Sequence, residues 1–396
     1  MWLSDFRIVL PDRVIERGSV CIEDGFIRDI AERPISDAAL TGNGLILLPG
    51  FIDMHGDMIE REIEPRPNVN MPMELGLRDL DRKLAGSGIT TAYAALSFSP
   101  ASTYGHLRSY EHTSAVIRAL YAMKDRLLVD HRIHARFEIT FPKALEVIDE
   151  LIREGTVDLI SLTDHTPGQG QYRDIERVAQ RMAAEKGVTR EEAAALVARK
   201  IEERTRPAEE LAATLARISK TCHAHNVHLA SHDDDTVAKV EIMAQLGVTI
   251  SEFPVTEEAA RAAHDYGLFN AMGAPNAMRG QSYSGNLSAR EAHRQGLLDI
   301  LAADYHPSAI LPAVLELAKI DPEGLTGAAR LSAANAAHAL GLDDRGTIEI
   351  GKHADLVVAD DTGIGHVVAT LRNGRTIFSD GRLLLSRERM APVHAD

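Results

Sequence analysis

Cysteine is nearly missing from this sequence: Cys21 and Cys222 are the only two in 396 residues. Two thiols provide no disulfide framework, so a reduced, cytoplasmic setting is expected. Positive charge is in deficit too. Lys and Arg number 43 against 58 Asp and Glu, a formal net charge of −15. Such a chain is a poor general ligand for nucleic acid or for an anionic membrane surface. A small anionic substrate is still allowed, because metal ions and a few arginines reverse the sign locally. No apolar run approaches the roughly 20 residues that cross a bilayer. The opening MWLSDFRIVLPD lacks the basic-then-apolar pattern of a secretion signal. Low-complexity segments and short repeats are also absent.

What the chain does have is 45% hydrophobic residues, enough for a large core. Apolar β-rich runs alternate with amphipathic helical stretches, which predicts an α/β fold with parallel strands. The candidate strands are LILLPGFIDM (45–54), ITTAYAALSF (89–98), IHARFEIT (133–140), VDLISLTD (157–164), VHLAS (227–231), VTISEFP (248–254), LFNAMG (268–273) and LLDILAAD (297–304). Eight such strands predict a TIM-like (β/α)₈ barrel over residues 49–342. The two ends, 1–48 and 343–396, are β-rich and punctuated by turns, and are expected to pair into a small β-sandwich. Residues 174–225 form a long, mostly helical insertion after the fourth strand. Thr189 and Glu192 have the spacing of a capping box that opens a helix there. A lid or substrate wall and an ordinary crossover with extra helices both remain open for it.

In a barrel, the C-terminal strand ends form the active-site face. Here they finish repeatedly in metal-capable side chains: His55 and Asp57 on strand one, Glu138 on strand three, Asp164 and His165 on strand four, the run His232-Asp233-Asp234-Asp235 on strand five and Asp304 on strand eight. One histidine alone is more often structural than ligating. Recurrence at one architectural position is the signal, because these ends converge only at the barrel mouth. The donors are imidazole and carboxylate without thiolate, which suits one or two divalent ions of Zn, Mn, Fe, Co or Ni. His223 and His225 imitate a metal motif but fall at a predicted helix end, where they complement the dipole. His106, His112, His131, His134 and His228 are read as structural or surface residues.

The PGFIDMH opening, the strand rhythm and the closing GTIEIGKHADLVV resemble the amidohydrolase superfamily over nearly the whole length. The resemblance implies a distorted barrel, a sandwich built from both chain ends and one or two metals that activate water. Two departures stand out. The usual His-x-His of strand one is His55-Gly56-Asp57, and no lysine ends strand three or four, where Glu138 is placed to substitute. The blocks PGFIDMHGDMIE, SLTDHTPGQGQY, LASHDDDT, GAPNAMRGQSYSGNLSA and AADYHPSA are similar to the phosphonate-metabolism branch of the superfamily. That implies hydrolysis of α-D-ribose 1-methylphosphonate 5-triphosphate to the 5-phosphate and pyrophosphate.

For that chemistry His55, Asp57, Glu138, His165 and His232 are assigned as ligands. Asp304 is the candidate general base and also a candidate ligand. Arg279 and Ser284, in the loop after strand seven, are expected to contact phosphate or sugar, as are Arg66, Gln169 and His306. The rival reading is an amidohydrolase that opens a cyclic amide or removes an amine. Its discriminator is the donor set, since an amidase needs few arginines near the metals. Oligomeric state, a homo-oligomer included, stays open.

Overall fold

The computed structural model describes residues 1–66, 69–100, 106–282 and 285–383. One sheet runs parallel through eight strands in chain order: Phe51–Gly56, Ile89–Ser97, Asp130–Glu138, Leu159–Thr163, His228–His232, Ile250–Glu252, Phe269–Gly273 and Ile300–Ala302. They are called barrel strands one to eight below. The barrel closes where Gly56 bridges Asp304. Asp304 donates its N–H to the His55 carbonyl at 2.8 Å and accepts from Asp57 N–H at 3.1 Å. Asp53, fully buried, stitches the same seam by accepting from Ala303 N–H at 2.8 Å. Closure therefore lays the end of strand eight directly beside the end of strand one.

The chain ends build the second sheet. Trp2–Val9, Val14–Glu23, Phe26–Ala31, Leu40–Thr41 and Ile46–Pro49 come from the N-terminal side, and Leu356–Asp360, His366–Arg372 and Arg375–Ser379 from the C-terminal side. Leu3, Phe6, Val20, Ile27, Leu47, Val358 and Val368 share one core, separate from that of the barrel. Both chain ends thus share one separate sheet, as the sequence predicts, and its strands are joined in a single eight-stranded sheet. No helix among the described residues is long and apolar enough to cross a membrane.

One predicted strand divides. LILLPGFIDM is not continuous: Ile46–Pro49 belongs to the terminal sheet and Phe51–Gly56 to the barrel. The break falls at Gly50, whose N–H donates to Asp355 O at 2.8 Å. A Cβ there would lie 2.4 Å from Thr90 Oγ1, so only glycine lets the chain pass between the sheets. The unbroken apolar run hid this crossing because both sides of it are buried.

The inserted segment also resolves into parts. Helices Ile175–Lys186 and Arg190–Arg204 form a hairpin with a small core of Val178, Ala179, Met182, Ala193 and Val197. Thr189 and Glu192 make the reciprocal capping box. The third helix, Ala208–His225, is the crossover that packs on the helix Pro142–Arg153. His223 and His225 end that helix, and His223 Nδ1–H donates to Ser219 O at 2.8 Å.

A buried carboxylate that accepts several hydrogen bonds fixes the base of the barrel. Asp81 accepts from Leu128 N–H at 2.8 Å, Val129 N–H at 3.0 Å and His131 Nε2–H at 3.0 Å. Burial raises the Asp81 pKa, but the His131 and backbone hydrogen bonds outweigh it and hold the group below its ordinary value. The folded pKa is depressed, so the stabilisation is intact above the ordinary carboxylate pKa. It is lost as pH falls through the lower folded value. Asp81→Ala is expected to cost about 3 kcal/mol at neutral pH, because it strands buried donors. The cost should shrink in acid, and denaturant titrations at both pH values measure it.

Candidate active site

Strand alternation builds the centre of the site. On strand three, positions 134, 136 and 138 share one face, and His134, Arg136 and Glu138 are all buried. Strand one contributes His55, strand five His232 and strand six Glu252, each buried. His232 and Glu252 sit opposite each other in register. Glu252 is the hub. Its carboxylate lies 3.2 Å from His55 Nδ1, 3.5 Å from His134 Nε2 and 3.1 Å from His232 Nδ1.

Two groups of donor atoms have the proximity to hold a cation: His55, His134 and Glu252, and His165, His232 and Asp233. The first group passes a direct test. His55 Nδ1, both ring nitrogens of His134 and Glu252 Oε1 are buried without a hydrogen-bond partner. Buried polar atoms are nearly always paired, so orphaned donors converging at one point fit a divalent ion. Burial lowers the His55 and His134 pKa values to about 3, which leaves both as neutral, ligand-competent imidazoles. Burial raises Glu252 to about 7. In the second group Arg136 Nη2 donates to His232 Nε2 at 3.1 Å. A cation bound there needs that guanidinium to shift.

A cavity of about 280 Å³ opens over these groups. Asp57, Arg136, Asp233, Asn276, Arg279 and Asp304 line it, together with Ser282 and Asn286. Phe253 walls one side, edge-on to His55 at 4.9 Å and to His232 at 5.4 Å between ring centroids. Three cavity residues outside glycine have left-handed backbone: Asp233 (φ 53°), Phe253 (φ 55°) and Asp304 (φ 56°). Such conformations cost about 1–3 kcal/mol each and cluster where surrounding structure imposes them, commonly at active sites. Burial, then the neighbouring Asp57 charge, raises Asp304 to about 7.

Of the residues singled out from sequence, His55, His165 and His232 fall within the two donor groups. Asp57, Asp304 and Arg279 line the cavity. Glu138 is outside both groups: its carboxylate accepts from His165 Nδ1–H at 2.7 Å and from His165 N–H at 2.9 Å. Arg66, Gln169 and His306 are exposed and do not line the cavity. Ser284 lies outside the described residues. His134, read as structural or surface, is fully buried at the barrel centre, with Nε2 3.5 Å from Glu252. Asp233, from the acidic run that follows His232, joins the second donor group, whereas Glu252, Arg136 and Arg204 do not stand out in the sequence as site residues. His134 and Arg136 were visible in the alternation of IHARFEIT, and Glu252 as a lone carboxylate in an apolar strand. Arg204 carried no local signal. It arrives from the end of the inserted hairpin, buried, with Nη1 3.8 Å from Glu138.

The Amidohydrolase family pattern matches residues 46–384. The chain is 36% identical over 392 residues to the α-D-ribose 1-methylphosphonate 5-triphosphate diphosphatase of Escherichia coli strain K12, covering 96% of this chain and 100% of that one. Among solved structures it is similar to the 5-methylcytosine deaminase of Klebsiella pneumoniae, with TM-score 0.65, 15% identity and coverage of 96% and 98%. It is also similar to the N-acetyl-D-glucosamine-6-phosphate deacetylase of Mycobacterium smegmatis, with TM-score 0.63, 15% identity and coverage of 96% and 99%. At that identity the structural neighbours establish the barrel and nothing finer. The extent of the family match and the full-length relative settle the affiliation: the chain belongs to the amidohydrolase family.

Proposed function

We propose that this protein is a metal-dependent phosphohydrolase that cleaves α-D-ribose 1-methylphosphonate 5-triphosphate to the 5-phosphate and pyrophosphate. The observation that carries the reading is the donor set of the cavity. A buried arginine, Arg136, and a second, Arg279, face the same space as the imidazoles and carboxylates. A neutral cyclic amide has no negative charge for two guanidinium groups to neutralise, whereas a phosphate chain does. The full-length relative, named for that reaction, supports the same substrate.

When bound, divalent metals supply a lowered pKa for a nearby water and a sink for charge on a phosphoryl oxygen. The chain's own residues do the rest. Asp304 stands at the cavity edge, with its backbone clamped to strand one, and accepts a proton from the attacking water. Arg136 and Arg279 meet the charge that builds on the phosphoryl oxygens. Asn276, Ser282 and Asn286 offer neutral hydrogen bonds to the sugar and phosphates. Phe253 keeps bulk water off His55 and His232.

A parallel assay separates this reading from its rival. The metal-loaded protein is offered the sugar triphosphate and a panel of cyclic amides and amino-heterocycles. Phosphate-ester turnover without ammonia release or ring opening is expected. Turnover of the panel with the triphosphate left intact would reverse the assignment.

A further inference from the structure

The inserted hairpin is pinned to the site at both ends. At its entry Gly170 N–H donates to Asp235 at 2.8 Å and Gln171 Nε2 donates to Asp233 at 2.7 Å. At its exit Arg204 stacks over the Phe141 ring at 5.2 Å, beside Glu138. Beneath the first hairpin helix lies a second cavity of about 490 Å³. It shares Gln171 and Asn286 with the metal cavity, so the two adjoin.

The charge of this second cavity is reversed relative to the rest of the chain. Arg173, Arg177 and Arg181 line it against a single carboxylate, Asp174. That carboxylate already caps the helix by accepting from Arg177 N–H at 3.0 Å. Arg181 Nε also lies 3.7 Å from Glu185 on the same helix, yet in a protein of net charge −15 three guanidinium groups around one cavity are still a local cationic site. Arg181 is steadied over the Tyr172 ring at 5.1 Å. Arg177 lies against Gly285, where an added Cβ would come within 2.9 Å of its Nη1. Gly285 has φ +75°, so its loop suits glycine on both counts. The loop after strand seven, which carries Ser282 and Asn286, thus walls both cavities.

We propose that the arginine-lined cavity is an anion subsite that holds the diphosphate portion of a triphosphate chain while the sugar-proximal phosphoryl group lies in the metal cavity. The inference rests on the proposed function for its substrate. Cleavage between the first and second phosphoryl groups makes the diphosphate the leaving group, and that group gathers negative charge as the bond breaks. The metal cavity is the smaller of the two, about 280 Å³ against about 490 Å³, and already takes the attacked phosphoryl group. Arginine forks next door stabilise it without crowding the attacked phosphorus.

The test is calorimetric titration of the metal-loaded protein with inorganic pyrophosphate, with methylphosphonate as a second probe. The variants are Arg173→Ala/Arg177→Ala and, as a control, Arg199→Ala, an exposed arginine paired with Glu203 on the other hairpin helix. Arg173 and Arg177 are exposed, so the double variant should keep its fold. Pyrophosphate affinity is expected to fall about 10- to 100-fold in the double variant, with methylphosphonate affinity and the Arg199→Ala variant unchanged. Equal pyrophosphate affinity in the wild type and the double variant would overturn the subsite, as would an equal loss in Arg199→Ala. Because binding is read directly, the two claims fail separately. Arginine-dependent pyrophosphate binding in a protein that leaves the sugar triphosphate intact would keep the subsite and sink the proposed reaction. Normal turnover with arginine-independent binding would do the opposite.

Discussion

Asp304→Asn is expected to lower turnover by about 10³-fold while bound metal stays near the wild-type content. Asparagine tolerates left-handed backbone as aspartate does, so the φ of 56° at this position is kept. The clamps to His55 O and Asp57 N–H use only the Asp304 backbone and survive the change. The carboxylate is outside both donor groups. What the substitution removes is the proton acceptor at the cavity edge. Rate constants beside metal analysis of the same preparation make the check. A wild-type rate would place the base elsewhere, and loss of metal would make Asp304 a ligand first.

Glu252→Gln is the second large effect. One carboxylate faces His55, His134 and His232 within 3.5 Å, so it touches both donor groups. Glutamine keeps the shape and loses the charge. The expected result is loss of at least one metal equivalent per chain and a matching collapse of turnover. Outer partners of metal ligands are typically worth about 10- to 100-fold in metal affinity, and a ligating carboxylate is worth more. Elemental analysis after dialysis against a weak chelator decides it. Native metal content in Glu252→Gln would reduce the residue to a buried partner of three imidazoles.

Much of this architecture was legible in the sequence because it rests on short-range pattern. Period-two and apolar runs marked all eight barrel strands, and Thr189 with Glu192 announced its helix. The strand-end rule led to His55, Asp57, His232 and Asp304, since the barrel places every such end at one mouth. What the sequence leaves hidden has a common physical origin. His134 and Glu252 lie within strands, where a polar residue reads as a structural exception until closure shows all inward faces meeting. Arg204 and the arginine-lined cavity depend on how a hairpin folds back across the barrel, which no local spacing encodes. Glu138 is the reverse case: it ends its strand as expected, yet the structure gives its carboxylate to His165 and Arg204.

The central claim is hydrolysis of a sugar triphosphate with departure of pyrophosphate. The most direct measurement is ³¹P NMR of the Mn- or Zn-loaded protein with α-D-ribose 1-methylphosphonate 5-triphosphate. The account predicts equal growth of pyrophosphate and 5-monophosphate signals, with the methylphosphonate resonance retained. Orthophosphate as the sole inorganic product, or an unchanged spectrum with metal confirmed bound, would contradict it.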